Sequence, residues 1–184
     1  MLIMSIDSGL SGAISVFNKG VLTSVVDMPL IKLTIREPRT KFKHKDPKIV
    51  FKSGLAKGKR QRIQTHAGKY KHVLDFTKLV EGIKWVSPDV IVLETQFALT
   101  SRAKTTYQNY GALLGISYAL VGCNNTVEVP PVTWKNSLQL TNLDKVASIP
   151  LAEKLYPSFK FKSHDQADSV LIGHYYINQQ EQNI

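Results

Sequence analysis

Short apolar runs divide the first part of the chain into strands. Residues 2–8 form one such run, and AISVF and VLTSVV form the next two. The tripeptide NKG stands between the second and third runs, where Asn and Gly tolerate the positive φ of a hairpin turn. The pattern therefore predicts that three antiparallel strands open the domain.

Helical and β-branched patterns then alternate. The stretch HVLDFTKLVEGIKWV predicts a helix, because its apolar residues share one helical face: Val73, Phe76, Leu79, Val80 and Ile83. The run VIVLE follows as a continuous β-branched strand, which is typical of a buried parallel strand. A second helix is predicted over AKTTYQNYGALLGISYALVG, and NTVEV follows it as a short strand. The chain therefore contains two helix-strand units.

Two more helical patterns complete the chain. LDKVASIPLAEKLYP predicts a helix that is interrupted or restarted at Pro150. HDQADSVLIGHYYINQQ predicts a last helix whose first turn holds Asp165 and Asp168. The 184 residues, 43% of them hydrophobic, suit one domain over residues 1–184.

Positive charge is concentrated in one segment. Of the formal net charge of +10, residues 30–72 contribute +12, with 14 Lys and Arg against two acids, and the remainder carries −2. This stretch has few apolar residues, so residues 31–72 are interpreted as a long basic insertion that favours an anionic partner such as nucleic acid. Within it, Lys59, Arg60 and Arg62 are candidate DNA contacts.

Several classes of protein are not indicated. A single cysteine, Cys123, excludes an intramolecular disulfide, and no His/Cys cluster has the spacing of a zinc site. The sequence shows neither a signal peptide nor an apolar run long enough for a membrane span. We therefore expect a soluble protein in the cytoplasm.

Four acids stand where a purely structural role is awkward. Asp7 lies near the end of the first strand, Glu94 ends the buried VIVLE strand, and Asp165 and Asp168 share one face of the last helix. Strand ends and a helix N-terminus can meet at one sheet edge, where the acids would repel unless cations neutralised them. Hard oxygen ligands suit Mg²⁺, and two such ions about 4 Å apart can cleave a phosphodiester.

Each acid also has a structural interpretation. Asp7 precedes Ser8-Gly9 and could bond to its own backbone as a turn former. Glu94 could end a strand at the surface. Asp165 and Asp168 could be acids favoured by the dipole at the start of a helix. The metal hypothesis therefore depends on the ordered set of four.

Taken in order, the motifs resemble those of RuvC-type Holliday junction resolvases, of the ribonuclease H-like superfamily. The similar stretches are IDSGLSGAIS, PDVIVLETQFALTSRAKTTYQNYGALLGI, VPPVTWKNSL, KVASIPLAEKLYP and HDQADSVLIGHY. The resemblance implies an α/β ribonuclease H-like fold, with a five-stranded mixed sheet of three antiparallel strands plus two parallel ones, flanked by helices. It also implies a homodimer that resolves four-way junctions by paired nicks. Its catalytic metal ligands would be Asp7, Glu94, Asp165 and Asp168, which would hold two Mg²⁺, with Mn²⁺ as a substitute.

The resemblance also suggests roles for residues around the acids. The loop after the glutamate approaches the junction in the family, so Phe97, Arg102, Lys104 and Tyr107 are candidate DNA contacts. Core packing for Phe97 and a solvated face for the two cations fit equally well. Lys135, in the stretch TWK, would neutralise the scissile phosphate and counts as catalytic.

Three further residues near these motifs have structural interpretations. Lys145 is favoured as a surface lysine, with phosphate binding as the alternative. Trp134 is predicted to be an anchoring core residue. His164 could serve as an alternative ligand or as a proton donor, but the aspartate pair already fills that position.

The sequence leaves several functions open. The basic insertion is longer than in cellular bacterial resolvases and resembles the phage or viral branch, which would place the protein in an infected host cell. A broader branched-DNA or flap nuclease and a non-catalytic junction-binding protein are therefore alternatives. An ATP-handling enzyme of the actin and sugar kinase type would need two lobes, which 184 residues do not hold, so no nucleotide cofactor is expected.

Overall fold

The structure is a computed structural model that describes residues 1–34, 70–96 and 103–182. Its strands are Leu2–Ile6 (β1), Ala13–Asn18 (β2), Val21–Asp27 (β3), Leu30–Thr34 (β4), Tyr70–Leu74 (β5), Val90–Glu94 (β6) and Thr126–Val129 (β7). Its helices are Phe76–Val86 (α1), Ala103–Val121 (α2), Pro131–Ser137 (α3), Ser148–Leu155 (α4) and His164–Gln182 (α5), with 3-10 turns at Cys123–Asn125 and Lys145–Ala147. None of the described helices is both long and apolar enough to cross a membrane.

The chain divides into two compact units. One unit combines Met1–Ile31 with Val73–Ile184, and the other is Lys32–His72. Strands β4 and β5 form a two-stranded sheet of their own. The apolar pattern did not predict these two strands, because Lys32 interrupts the short apolar run of β4, and Lys71 and His72 interrupt that of β5.

A five-stranded mixed sheet is the centre of the larger unit, with strand order β3-β2-β1-β6-β7. Strand β1 pairs antiparallel with β2, and β2 pairs antiparallel with β3. On its other side β1 pairs parallel with β6, which pairs parallel with β7. This arrangement confirms the predicted combination of three antiparallel and two parallel strands.

Helices cover both faces of this sheet. Along β6, Val90 and Val92 join the core packed by α4 and α5, whereas Ile91 and Leu93 join the core packed by α1 and α2. Successive strand residues point to opposite faces, so burial on both faces requires the unbroken apolar run of VIVLE. The two layers hold the carboxyl ends of β1 and β6 side by side.

One predicted helix start and one predicted first turn need correction. Val73 and Leu74 belong to β5, and α1 begins only at Phe76, because the side chain of Asp75 accepts a hydrogen bond from Lys78 N at 3.1 Å and caps the helix. In the last helix only Asp165 lies in the first turn. Asp168 follows three residues later on the same face.

Proline marks the start of two short helices. Helix α3 was not predicted, although Pro131 occupies its first position, where a backbone N–H has no intrahelical partner to lose. Pro150 lies in the first turn of α4 for the same reason. The predicted helix is therefore interrupted before Pro150: a 3-10 turn ends at Ala147, and α4 begins at Ser148.

Candidate active site

Asp7 lies directly after β1 at the carboxyl edge of the sheet, and only 7% of it is exposed. Its Oδ1 accepts a hydrogen bond from the backbone N–H of Gly9 at 3.3 Å, so the turn-forming role expected of this residue is present. Its own N–H donates to the carbonyl oxygen of Ala13 at 3.0 Å. The turn uses one carboxylate oxygen and leaves the other available to a ligand.

Glycine is required in this turn at Gly12 rather than at Gly9. A Cβ at Gly12 would lie 2.0 Å from the carbonyl oxygen of Asp7, which no side chain can do, whereas a Cβ at Gly9 would make ordinary contacts. The loop therefore folds back tightly onto the backbone of Asp7. This contact fixes the position of the Asp7 backbone beside the start of β2.

Glu94 ends β6 next to Asp7 and is equally buried, so the expectation of a surface strand end is wrong. Its Oε1 accepts a hydrogen bond from Trp134 Nε1 at 3.0 Å, and its Oε2 accepts a longer one from Gln96 Nε2 at 3.4 Å. The hydroxyl of Ser8 donates to the carbonyl oxygen of Glu94 at 2.8 Å, which ties the end of β6 to the residue after Asp7.

Helix α5 brings the aspartate pair to the same edge. Its close approach to the sheet occurs at Gly173, where a Cβ would lie 2.3 Å from Phe17 Cε2. One turn earlier, the hydroxyls of Ser5 and Ser15 reach the carbonyl oxygen of Ser169 at 2.7 and 2.9 Å. These contacts fix α5 against β1 and β2. They thereby set the distance between the first turns of α5 and Asp7.

Contacts at the beginning of α5 orient its first turn as well. Gln166 is buried; its Nε2 donates to Asp27 Oδ1 at 2.7 Å, and its Oε1 accepts from the N–H of Lys162 at 2.9 Å. His164 Nε2 lies 3.4 Å from Asp165 Oδ1. The described structure thus places His164 beside Asp165, as its sequence position suggested.

The carboxyl groups are close enough to affect each other's ionisation. Burial, opposed by the Gly9 hydrogen bond and reinforced by Asp165 and Asp168, raises the pKa of Asp7 to about 6. Burial and the charge of Asp7 raise the pKa of Glu94 to about 8. Burial also raises the pKa of Asp168. We call Asp7, Glu94, Asp165 and Asp168 the carboxylate cluster.

Lys135 is the cation of this cluster. Its Nζ lies 3.8 Å from Asp168 Oδ2 and 5.0 Å from the centroid of the Trp134 ring. Its charge lowers the pKa of Asp7, Glu94 and Asp168, against the larger effect of burial. One lysine therefore compensates several carboxylates, but only in part.

A cavity of about 170 Å³ opens beside the cluster. Its lining includes Lys135, Asp168 and residues 140–145, among them the exposed Lys145. The backbone of Asn142 has φ 64°, in the left-handed region that Asn tolerates. This loop places a second lysine within the same cavity as the carboxylate of Asp168.

The carboxylates lie near one another, but they are not arranged as the ligands of one metal ion. Within residues 1–34, 70–96 and 103–182, no three Asp, Glu, His or Cys side chains have the geometry to hold one ion in common. The chemistry of the donors nevertheless fits Mg²⁺, since they are hard carboxylate oxygens whose mutual repulsion and burial are compensated only in part by Lys135 among the described lysines and arginines. Their role as metal ligands stays a prediction.

The predicted DNA contacts fall mostly outside the described residues. These are Lys59, Arg60, Arg62, Phe97 and Arg102. Lys104 lies on α2, but its side chain is not among those described, and Tyr107 is half exposed on the same helix. Their contacts with DNA stay predictions.

Two features of the site were not predicted from the sequence. Trp134 is a buried core residue as expected, but it also binds a carboxylate of the cluster. The buried serines Ser5, Ser15 and Ser169 connect α5 to the sheet. The only available signal was a serine at an inward position of each apolar strand, which needs a partner when buried.

Comparison by sequence finds no relative: no family model matches the chain, and no curated protein matches it. Comparison by structure finds proteins with a similar fold. A Thermus thermophilus RuvC structure is similar with a TM-score of 0.56 at 12% identity, covering 100% of this chain and 97% of that one. A structure of T. thermophilus RuvC in complex with Holliday junction substrate gives 0.54 at 10% identity, covering 99% and 96%. The resemblance noted in the sequence is thus confirmed at the level of the ribonuclease H-like fold.

Proposed function

We propose that this protein is a Mg²⁺-dependent endodeoxyribonuclease that resolves four-way DNA junctions. The observation that carries the proposal is the carboxylate cluster: four acids from the ends of β1 and β6 and from α5 lie at one sheet edge, where burial and neighbouring carboxylates raise the pKa of Asp7, Glu94 and Asp168. The fold supports it, because a structure of the same fold was solved with a Holliday junction substrate. The basic segment of residues 30–72 adds a surplus of cations suited to phosphates.

Each residue of the cluster has a defined task in this proposal. Asp7, Glu94 and the Asp165/Asp168 pair would hold two Mg²⁺, and Mn²⁺ would serve as a substitute. When bound, these ions supply an activated water and stabilise the departing oxygen. Trp134 and the Gly9 N–H orient one oxygen each of Glu94 and Asp7. Lys135, with its amino group at the cluster, neutralises charge on the scissile phosphate.

The oligomeric state and the location belong to the same proposal. Two paired nicks in a four-way junction require two equivalent sites, which a homodimer with a two-fold axis supplies. We place this dimer in the cytoplasm, with branched DNA as its partner and no nucleotide cofactor. The unusual length of the basic insertion supports a phage or viral origin.

The test is cleavage of labelled four-way junction, flap, fork and linear duplex DNA, in Mg²⁺ and in EDTA. Asp7→Asn removes one carboxylate of the cluster, and Glu81→Gln, at an exposed acid of α1, is the matched control. We expect symmetric nicks in the junction, absent with EDTA and with Asp7→Asn but retained with Glu81→Gln. Equal cutting of flaps and forks would instead indicate a broader branched-DNA nuclease. Tight binding by the wild type in Mg²⁺ without cutting would indicate a non-catalytic junction-binding protein.

A further inference from the structure

Helix α3 presents two consecutive side chains to different members of the carboxylate cluster. Trp134 has no exposed surface, and its Nε1–H donates to Glu94 Oε1 at 3.0 Å. Lys135 is directed to Asp168, with 3.8 Å between Nζ and Oδ2. One short helix therefore contacts both the acid from β6 and an acid from α5.

Trp134 packs in the core and also donates a hydrogen bond to Glu94. A phenylalanine ring would provide the same kind of apolar surface, whereas the indole N–H requires a partner when buried and finds it in a carboxylate. Among the described residues, the only hydrogen-bond partner of Glu94 Oε2 is Gln96, at 3.4 Å, which is a weak hydrogen bond. The strong bond on Oε1 fixes the rotation of the carboxylate and leaves Oε2 as its open oxygen.

The lysine occupies the place where a cation is needed. Its charge acts on Asp7, Glu94 and Asp168 together, as a bound metal ion would. It also has a second partner, because Nζ lies 5.0 Å from the centroid of the Trp134 ring. A lysine that leaves Asp168 thus retains a cation–π contact on its own helix.

On the basis of the proposed function, we infer that Trp134 is a positioning residue that holds Glu94 with one oxygen open, and that Lys135 is the counter-cation of the metal-free cluster, which an incoming divalent cation displaces. The displaced Nζ is then available to a DNA phosphate. Lys135 accordingly opposes metal binding in the free protein and supports the reaction once DNA is present. Removing it must change these two properties in opposite directions.

The lysine is tested by Lys135→Met, with Lys84→Met on α1 as the control. Calorimetric titration of Mg²⁺ into the DNA-free protein should show binding about tenfold tighter than the wild type, because a competing positive charge is gone. Junction cleavage at saturating Mg²⁺ should fall. Unchanged or weaker Mg²⁺ binding by Lys135→Met would overturn the counter-cation role.

The tryptophan is tested by Trp134→Phe, which keeps an aromatic ring and removes the N–H. Mg²⁺ binding should weaken by about 10- to 100-fold, as expected when a partner of a metal ligand is lost. Trp85→Phe is the control, because Trp85 is 89% exposed on α1. Mg²⁺ binding by Trp134→Phe at the affinity of the wild type would contradict the positioning role.

A third measurement does not depend on the stability of either variant. The chain has two tryptophans, so Trp85→Phe leaves Trp134 as the only one. Its fluorescence should change on Mg²⁺ addition with the midpoint found by calorimetry, and a signal that does not change would count against the inference. If the wild type neither binds Mg²⁺ nor cuts junctions, the proposed function fails as well. If the wild type does both while the variants bind Mg²⁺ as it does, only the inference fails.

Discussion

Two polar clusters connect β1 to α5, and they are built in opposite ways. In the serine cluster of Ser5, Ser15 and Ser169, the side chains are buried and hydrogen-bonded, with 2.6 Å between the hydroxyls of Ser5 and Ser15. In the carboxylate cluster, which begins at Asp7, directly after β1, burial and then neighbouring carboxylates raise the pKa of Asp7 and Glu94. The serine cluster satisfies its polar groups, whereas within the described residues the carboxylate cluster has more buried carboxylates than neighbouring lysines or arginines.

The two clusters share their elements because of simple periodicities. Asp7 lies two residues after Ser5 and directly follows β1, while Asp165 and Ser169 are four apart on one face of α5. The neutral serine cluster can therefore fix the distance at which the carboxylates meet. A protein retains buried repulsion of this kind where a ligand relieves it, which is why the carboxylate cluster indicates function and the serine cluster indicates architecture.

The largest expected effect comes from neutralising the carboxylate cluster at Glu94→Gln. Cleavage should fall by about 1,000-fold, which corresponds to about 4 kcal/mol of transition-state stabilisation. The metal-free protein should become more stable at pH 8, on the order of 2 kcal/mol, because the amide needs no proton to be buried. Denaturant unfolding in EDTA and single-turnover cleavage measure the two effects. A loss of both activity and stability would show that Glu94 is structural.

The next effect is the pH dependence of stability in the metal-free protein. Asp7 and Glu94 have raised pKa values, so the folded state binds more protons than the unfolded state between about pH 4 and pH 8. The free energy of unfolding should therefore fall by a few kcal/mol as pH rises through this window. Saturating Mg²⁺ should flatten the dependence, because bound carboxylates stay ionised.

The control for this pH dependence is the double variant Asp7→Asn, Glu94→Gln. Burial lowers the pKa of His174, which makes stability rise with pH near neutrality, and this contribution remains in the double variant. The difference between the two proteins isolates the carboxylates. A wild-type curve parallel to that of the double variant, measured by denaturant unfolding in EDTA, would contradict the raised pKa values.

Much of the fold was readable from the sequence because burial on both faces of a sheet imposes a strong pattern. VIVLE could be recognised as a central strand, and Asn18-Lys19-Gly20 as a hairpin, from local chemistry alone. The start of α1 was misplaced because Val73 and Leu74 continue the apolar spacing of the helix, although their strand pairing is not a local property. Strands β4 and β5 were missed because lysines interrupt their short apolar runs.

The candidate site was only partly readable. The positions of Asp7 and Glu94 at strand ends predicted their meeting, because parallel strands place their carboxyl ends at one edge. The contact of Trp134 with Glu94 joins residues 40 apart, and no local pattern encodes it. From its sequence position alone, a buried tryptophan is predicted to be a core residue. The partner of its N–H can be identified only from the three-dimensional structure.

The smallest effect tests whether the serine cluster positions the carboxylates. In Gly173→Ala the new Cβ would lie 2.6 Å from Ser5 Oγ and 2.3 Å from Phe17 Cε2, so α5 must shift away from the sheet. Overpacking of this kind costs about 1–3 kcal/mol of stability. Gly82→Ala is the control, because its Cβ meets nothing within 4 Å and alanine should stabilise α1 by about 0.5–1 kcal/mol. If α5 carries Asp165 and Asp168 with it, Mg²⁺ affinity should fall several-fold in Gly173→Ala alone. A destabilised Gly173→Ala that binds Mg²⁺ as the wild type does would separate the two clusters, and the first turn of α5 would then be positioned by Gln166 and Asp27 instead.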